Sequence, residues 1–123
     1  MPGKILVVDD NETNCQAMVR LLRHGGHVAS AVQSGQAALD WLEQQVPDLI
    51  ILDEMMPGMT GMAVLRTIRT DTRLSSIPVV MFSALSDTKF QKYAIEEGAN
   101  DYWVKGLFDY RQLGARVAQY LPS

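Results

Sequence analysis

Two four-residue runs, Ile5-Leu6-Val7-Val8 and Leu49-Ile50-Ile51-Leu52, are apolar at every position, and each stops at an aspartate, Asp9 and Asp53. A strand with one wet face alternates polar and apolar residues. A run with no polar position has to be covered on both faces, which a parallel sheet between helix layers provides. The same rhythm recurs along the chain, where five short apolar runs alternate with five amphipathic stretches. That alternation predicts βαβ units and an α/β fold of five parallel strands with five helices in three layers, (βα)5.

The remaining elements follow from periodicity and punctuation. Cys15, Met18, Val19 and Leu22 recur at i, i+3, i+4 and i+7, which predicts a helix from Asn11 to Gly25, capped by Asn11 or Thr13. Val28–Val32 reads as a second strand, weak enough for a sheet edge. Ser34-Gly35 opens a second helix with Ala38, Leu39 and Leu42 inward, ended by Pro47. A loop, Glu54 to Gly61, precedes a third helix that runs to about Thr70 and buries Leu65 and Ile68. Pro78–Phe82 is the fourth strand, with proline at a position where it is tolerated. Asp87 caps a fourth helix that stops at Gly98, Asp101–Val104 is the fifth strand, and Asp109–Leu121 the fifth helix, with Leu113, Val117 and Leu121 inward.

Composition narrows the function classes. The 123 residues suit one domain, 1–123, and 47% hydrophobic with 20% charged residues is an ordinary globular balance. The net charge is −3, so no basic field points to nucleic acid or to an anionic membrane. Setting aside Asp9, Asp10, Asp53 and Lys105 leaves 11 acids and 10 bases, so the acidity is concentrated at the strand ends. Cys15 is the only cysteine, which excludes an intrachain disulfide and suits a reducing compartment; the expected location is the cytoplasm, and the expected role of Cys15 is packing. No apolar run is long enough to span a membrane, and the N-terminus is no signal peptide.

In an open parallel sheet, ligands bind beyond the carboxyl ends of the strands. Those ends deliver Asp9-Asp10, Asp53, Ser83-Ala84 and Lys105: three carboxylates, a hydroxyl and an amine. Carboxylate oxygens are hard ligands that gather Mg²⁺. A carboxylate can also be the nucleophile of an acyl phosphate, and phosphoryl transfer needs cationic or hydroxyl donors on the equatorial oxygens. Glu54 is expected to be a solvated neighbour pointing away from Asp53. His24 and His27 lack metal-ligand partners and are expected at the surface, and Trp41 and Trp103 are expected to be semi-buried.

The runs Ile5 to Asn11, Leu52 to Gly61, Ser83-Ala84 and Tyr102-Trp103-Val104-Lys105, with Gly98-Ala99 before the fifth strand, resemble the receiver domain of two-component response regulators over essentially the whole chain. The resemblance implies the strand order 2-1-3-4-5. It implies Asp53 as phosphoacceptor and Mg²⁺ held by Asp10, Asp53 and the Met55 backbone carbonyl, with Asp9 acting through water. Ser83 and Lys105 would bind phosphoryl oxygens, helped by the Ala84 N–H, and Ser83 with Tyr102 would form the switch. The implied partners are a sensor histidine kinase or a His-containing phosphotransfer protein. The implied output is a helix four–strand five–helix five surface. Asp101 and Arg116 match positions that pair across a homodimer in some relatives.

The chain departs from the pattern at Gly106, where the family usually has a proline, commonly with a cis bond. A trans Lys105–Gly106 bond and a more mobile loop are therefore expected. Met55 and Leu85, two residues after Asp53 and Ser83, cannot orient an attacking water well, so a long-lived phosphoryl group is expected. Two other readings compete. A pseudo-receiver would bind partners without phosphorylation, yet no acid, Ser83 or Lys105 is lost. A haloacid-dehalogenase-type phosphohydrolase needs a second Asp where Met55 stands, and no Gly-rich phosphate loop is present.

Overall fold

The computed structural model describes residues 3–122. Five strands, β1 (Lys4–Val8), β2 (Val28–Val32), β3 (Leu49–Leu52), β4 (Val79–Ser83) and β5 (Asp101–Val104), form one parallel sheet in the order β2-β1-β3-β4-β5. Five helices connect and follow them: α1 (Glu12–His24), α2 (Gly35–Gln44), α3 (Gly61–Thr70), α4 (Thr88–Glu96) and α5 (Leu113–Ala118). This is the expected (βα)5 sandwich with the expected strand order. Among the described residues no helix is long and apolar enough to cross a membrane.

Alternation along each strand divides the interior into two layers. Leu6, Val8, Ile50, Leu52, Val79 and Met81 face α2, α3 and α4, where they meet Leu42, Leu65, Ile68 and Ala94. Ile5, Val7, Leu49, Ile51, Val80 and Phe82 face α1 and α5, where they meet Met18, Leu22, Leu113 and Val117. Every residue of β3 is buried, as its wholly apolar run requires, whereas β2 at the edge is buried only at Ala29. Helix starts follow the sequence signals. Asn11, the cap of α1, accepts the Asn14 N–H at 2.9 Å; Ser34 caps α2, and Asp87 caps α4.

Two expectations are corrected. The fifth helix is shorter than Asp109–Leu121: Asp109 takes the Arg111 N–H at 3.0 Å and opens a 3-10 turn, Tyr110–Gln112, before α5. Trp103 is not semi-buried but 2% exposed, because its indole N–H finds the Asp101 carboxylate at 3.0 Å and can leave water. Trp41 is partly buried against the α2–α4 side of the core, as expected. His24 is exposed, while His27 is held by an inward bond, its Nδ1 accepting the Gly3 N–H at 3.1 Å.

Candidate functional site

Register brings the rim residues together. Val8 pairs with Leu52, so the next residues, Asp9 and Asp53, leave adjacent strands side by side. The backbone still carries the ladder one step further, with Asp53 N–H donating to Val8 at 2.9 Å and Asp9 N–H to Val32 at 3.1 Å. On the other side Ser83 pairs with Val104, and the Lys105 N–H donates to the Ser83 carbonyl at 2.9 Å.

Asp9 and Asp53 are 3% and 4% exposed, and Asp10 is exposed beside them. Oxygens of the three carboxylates lie within 4.8 Å of one another, so the cluster could hold a metal ion. The Lys105 ammonium bridges the two buried acids, 2.6 Å from Asp9 Oδ2 and 3.0 Å from Asp53 Oδ2. Burial alone would lower the Lys105 pKa, but its hydrogen bonds and charge pairing with Asp9 and Asp53 outweigh that and raise it. The second oxygen of each acid is also engaged: Asp9 Oδ1 accepts the Asn11 N–H at 2.9 Å, and Asp53 Oδ1 accepts the Met55 N–H at 3.2 Å. Each acid is thus oriented by its own following turn.

Ser83 is fully buried, and its Oγ accepts the Leu85 N–H at 3.2 Å. Tyr102 lies half-buried beside Phe90, and its hydroxyl donates to the Leu85 carbonyl at 2.6 Å. Burial raises the Tyr102 pKa, and the nearby Ser83 hydroxyl opposes that rise. Both switch candidates therefore hold the same loop residue, Ser83 at its N–H and Tyr102 at its carbonyl. The Lys105–Gly106 bond is trans, as no cis peptide occurs among the described residues. Met55 is 57% exposed and Leu85 half-buried at the rim.

Glu54 is a correction. It is half-buried rather than solvated, because its Oε1 turns to the start of α3 and accepts the Met62 N–H at 2.7 Å. Burial raises its pKa, and that hydrogen bond works against the rise. Asp101 and Arg116 meet within the chain at 3.3 Å, and Trp103, Tyr120 and the Tyr102 N–H also donate to Asp101. Two residues support the site in roles that the sequence did not reveal. The Cys15 thiol donates to the Asp9 carbonyl at 3.1 Å, and burial pushes its pKa up to about 11. Gly61 stands so close to the acceptor loop that a Cβ there would lie 2.3 Å from the Asp53 carbonyl oxygen.

A doubly wound parallel sheet with acids, a hydroxyl and an amine gathered at its switch-point rim defines a class of α/β ligand-binding module. The chain belongs to the response regulator receiver domain family of two-component systems, whose model matches residues 5–118. It is 38% identical over 117 residues to the DNA-binding response regulator MtrA of Mycolicibacterium smegmatis, covering 95% of this chain and 50% of that protein. The chain thus spans half the length of that relative. Among solved structures, the receiver domain of a signal transduction histidine kinase from Syntrophus aciditrophicus superposes with a TM-score of 0.87 at 33% identity, over 97% of this chain and 89% of that one. The BeF3-activated N-terminal receiver domain of RstA from Klebsiella pneumoniae superposes with a TM-score of 0.89 at 27% identity, over 98% of this chain and 99% of that one.

Proposed function

We propose that residues 1–123 act as one phosphorylation switch, in which Asp53 takes a phosphoryl group from a phosphohistidine of a sensor kinase or phosphotransfer protein. An Asp53 carboxylate oxygen forms a bond to phosphorus as the phosphorus–nitrogen bond breaks. The bonding pair returns to the imidazole nitrogen, so Asp53 needs no proton. The observation that carries this reading is the Lys105 ammonium lying between the buried Asp9 and Asp53 carboxylates, with Asp10 in the same cluster. A buried nucleophile beside a fixed cation is already arranged for charge that moves onto phosphoryl oxygens.

The three carboxylates form a hard, anionic donor set of the kind that suits Mg²⁺. Asp10, Asp53 and the Met55 carbonyl would hold the ion, with Asp9 acting through water. When bound, the ion supplies positive charge to the phosphoryl oxygens. Lys105 then turns from Asp53 to a phosphoryl oxygen, and Ser83 gives its hydroxyl to another, with the Ala84 N–H. As Ser83 leaves the Leu85 N–H, Tyr102 loses the carbonyl of a loop residue that no longer stays in place, and the α4–β5–α5 surface changes. That surface would be the output, and the module catalyses its own phosphoryl gain and loss without acting on a separate substrate. The proposed location is the cytoplasm, where a kinase of this class presents its phosphohistidine.

The BeF3-activated state of the RstA receiver supports the reading, since this chain shares that fold over nearly its whole length. Incubation with acetyl phosphate and MgCl2 should add one phosphoryl group by intact mass, and Asp53→Asn should add none. Equal labelling of Asp53→Asn, or none in the parent, overturns the assignment, and the latter outcome favours a module that binds partners without being phosphorylated.

A further inference from the structure

The site lysine is followed by glycine, and nothing lies within 4 Å of where a Gly106 Cβ would be. The backbone at 106 therefore has neither a ring nor a side-chain contact to hold it. Lys105 nonetheless reaches two buried acids with short contacts. A long lysine stem loses considerable rotamer freedom when fixed in one geometry, so a group that narrows its choices beforehand lowers the cost of that pairing.

The restraint is aromatic. The Phe108 ring stacks on buried Trp103, with centroids 4.7 Å apart and planes at 26°. It also meets Phe82 edge to face at 5.5 Å. Phe82 is 5% exposed, and its ring centroid lies 5.8 Å from the Lys105 Nζ. Arg116 covers the outer side, 5.3 Å from Trp103 and 5.7 Å from Phe108, while bound to Asp101. The Phe108 N–H closes the turn on the Val104 carbonyl at 2.9 Å. The ring thus joins β4, β5 and the loop carrying Lys105.

We propose that Phe108 is a positioning residue for Lys105, anchoring the glycine-bearing loop and holding the Phe82 ring beneath the ammonium. The proposal rests on the reading of Asp53 as acceptor and of Lys105 as its phosphoryl partner. It makes no contact with the phosphoryl group itself; it acts by keeping the ammonium where the group arrives.

Two readouts test it on the full chain. The first is the rate of phosphoryl gain from acetyl phosphate with MgCl2, by intact mass. The second is the ¹⁵N resonance of the Lys105 side chain in Mg²⁺-free protein, where pairing with Asp9 and Asp53 slows proton exchange. Phe108→Leu and Phe108→Ala should each slow phosphorylation about tenfold, the scale of an aromatic contact expressed as a rate. In both, the Lys105 resonance should move toward those of solvent-exposed lysines. Phe108→Tyr keeps the ring and should restore both readouts, which bulk packing alone would not require. Should Phe108→Ala fail to fold, Phe108→Leu carries the comparison. If the parent gains no phosphoryl group, the acceptor reading fails and the resonance alone judges Phe108. Parental rate and resonance in the leucine variant, or equal losses in the leucine and tyrosine variants, overturn the proposal.

Discussion

Gly61→Ala should damage both the stability and the chemistry of this protein through a single methyl group. The Cβ would sit 2.3 Å from the Asp53 carbonyl oxygen, 2.8 Å from Glu54 Cα and 2.9 Å from the Asp53 carbonyl carbon. All three are backbone atoms, so no side chain can swing aside. Ordinary contact begins at 3.4 Å, which means that the Asp53–Glu54 backbone or the start of α3 has to move by roughly 1 Å. Overpacking of this kind costs about 1–3 kcal/mol, which for a domain of this size lowers Tm by roughly 4–12 °C. The displaced residue is the proposed nucleophile, and a 1 Å misplacement can cost about 10²-fold in rate. The control is Gly114→Ala. A Cβ there meets nothing within 4 Å, and alanine is the better helix former inside α5 by about 0.5–1 kcal/mol. Thermal melts and acetyl phosphate labelling should therefore show Gly61→Ala losing on both counts and Gly114→Ala level or slightly more stable. A Gly61→Ala protein that melts and is phosphorylated like the parent would refute the close-approach argument.

Two further outcomes are expected. Lys105→Met leaves Asp9 and Asp53, 3% and 4% exposed, facing each other without their ammonium. Removing one partner of a buried pair costs about 3–5 kcal/mol, and the 18% exposure of the lysine side chain puts this case at the low end. In melts with and without MgCl2, the variant should be destabilised without the ion and gain more from it than the parent does; equal shifts in both proteins would contradict the charge-balance argument. Asp101→Asn should lose acid-sensitive stability. Burial of Asp101 works to raise its pKa, but hydrogen bonds from Trp103, the Tyr102 N–H, Tyr120 and Arg116 prevail and hold it below the ordinary 3.8. The unfolded chain therefore binds more protons in that window, so the Asp101 contribution is full above pH 3.8 and disappears as pH falls through the lowered folded value. Urea melts should show parent and variant separated at pH 7 and converging below pH 3.8; a constant gap would rule out the Asp101 carboxylate and its donors as the cause.

What was legible in the sequence was local. The wholly apolar runs at 5–8 and 49–52 demand burial on both faces, and the aspartates that end them fall at the rim because a carboxylate cannot enter that interior unpaired. Helix starts at Asn11, Ser34 and Asp87 were equally readable, since a cap and the N–H groups it satisfies lie within one turn. The sheet order and the roles of rim residues came through likeness to a family, not from periodicity. Only the tertiary structure decided which polar groups meet. Glu54 turned to Met62 because the loop folds back onto the start of α3, and Asp101 found Arg116 and Tyr120 across the β5–α5 connection. Apart from the short α5, which the local Asp109 cap on the Arg111 N–H sets, the stacking of Phe108 over buried Trp103 has the same origin. Each depends on the distance between segments placed by strand register, and a residue whose type suits both water and a partner does not reveal beforehand which of the two it will meet.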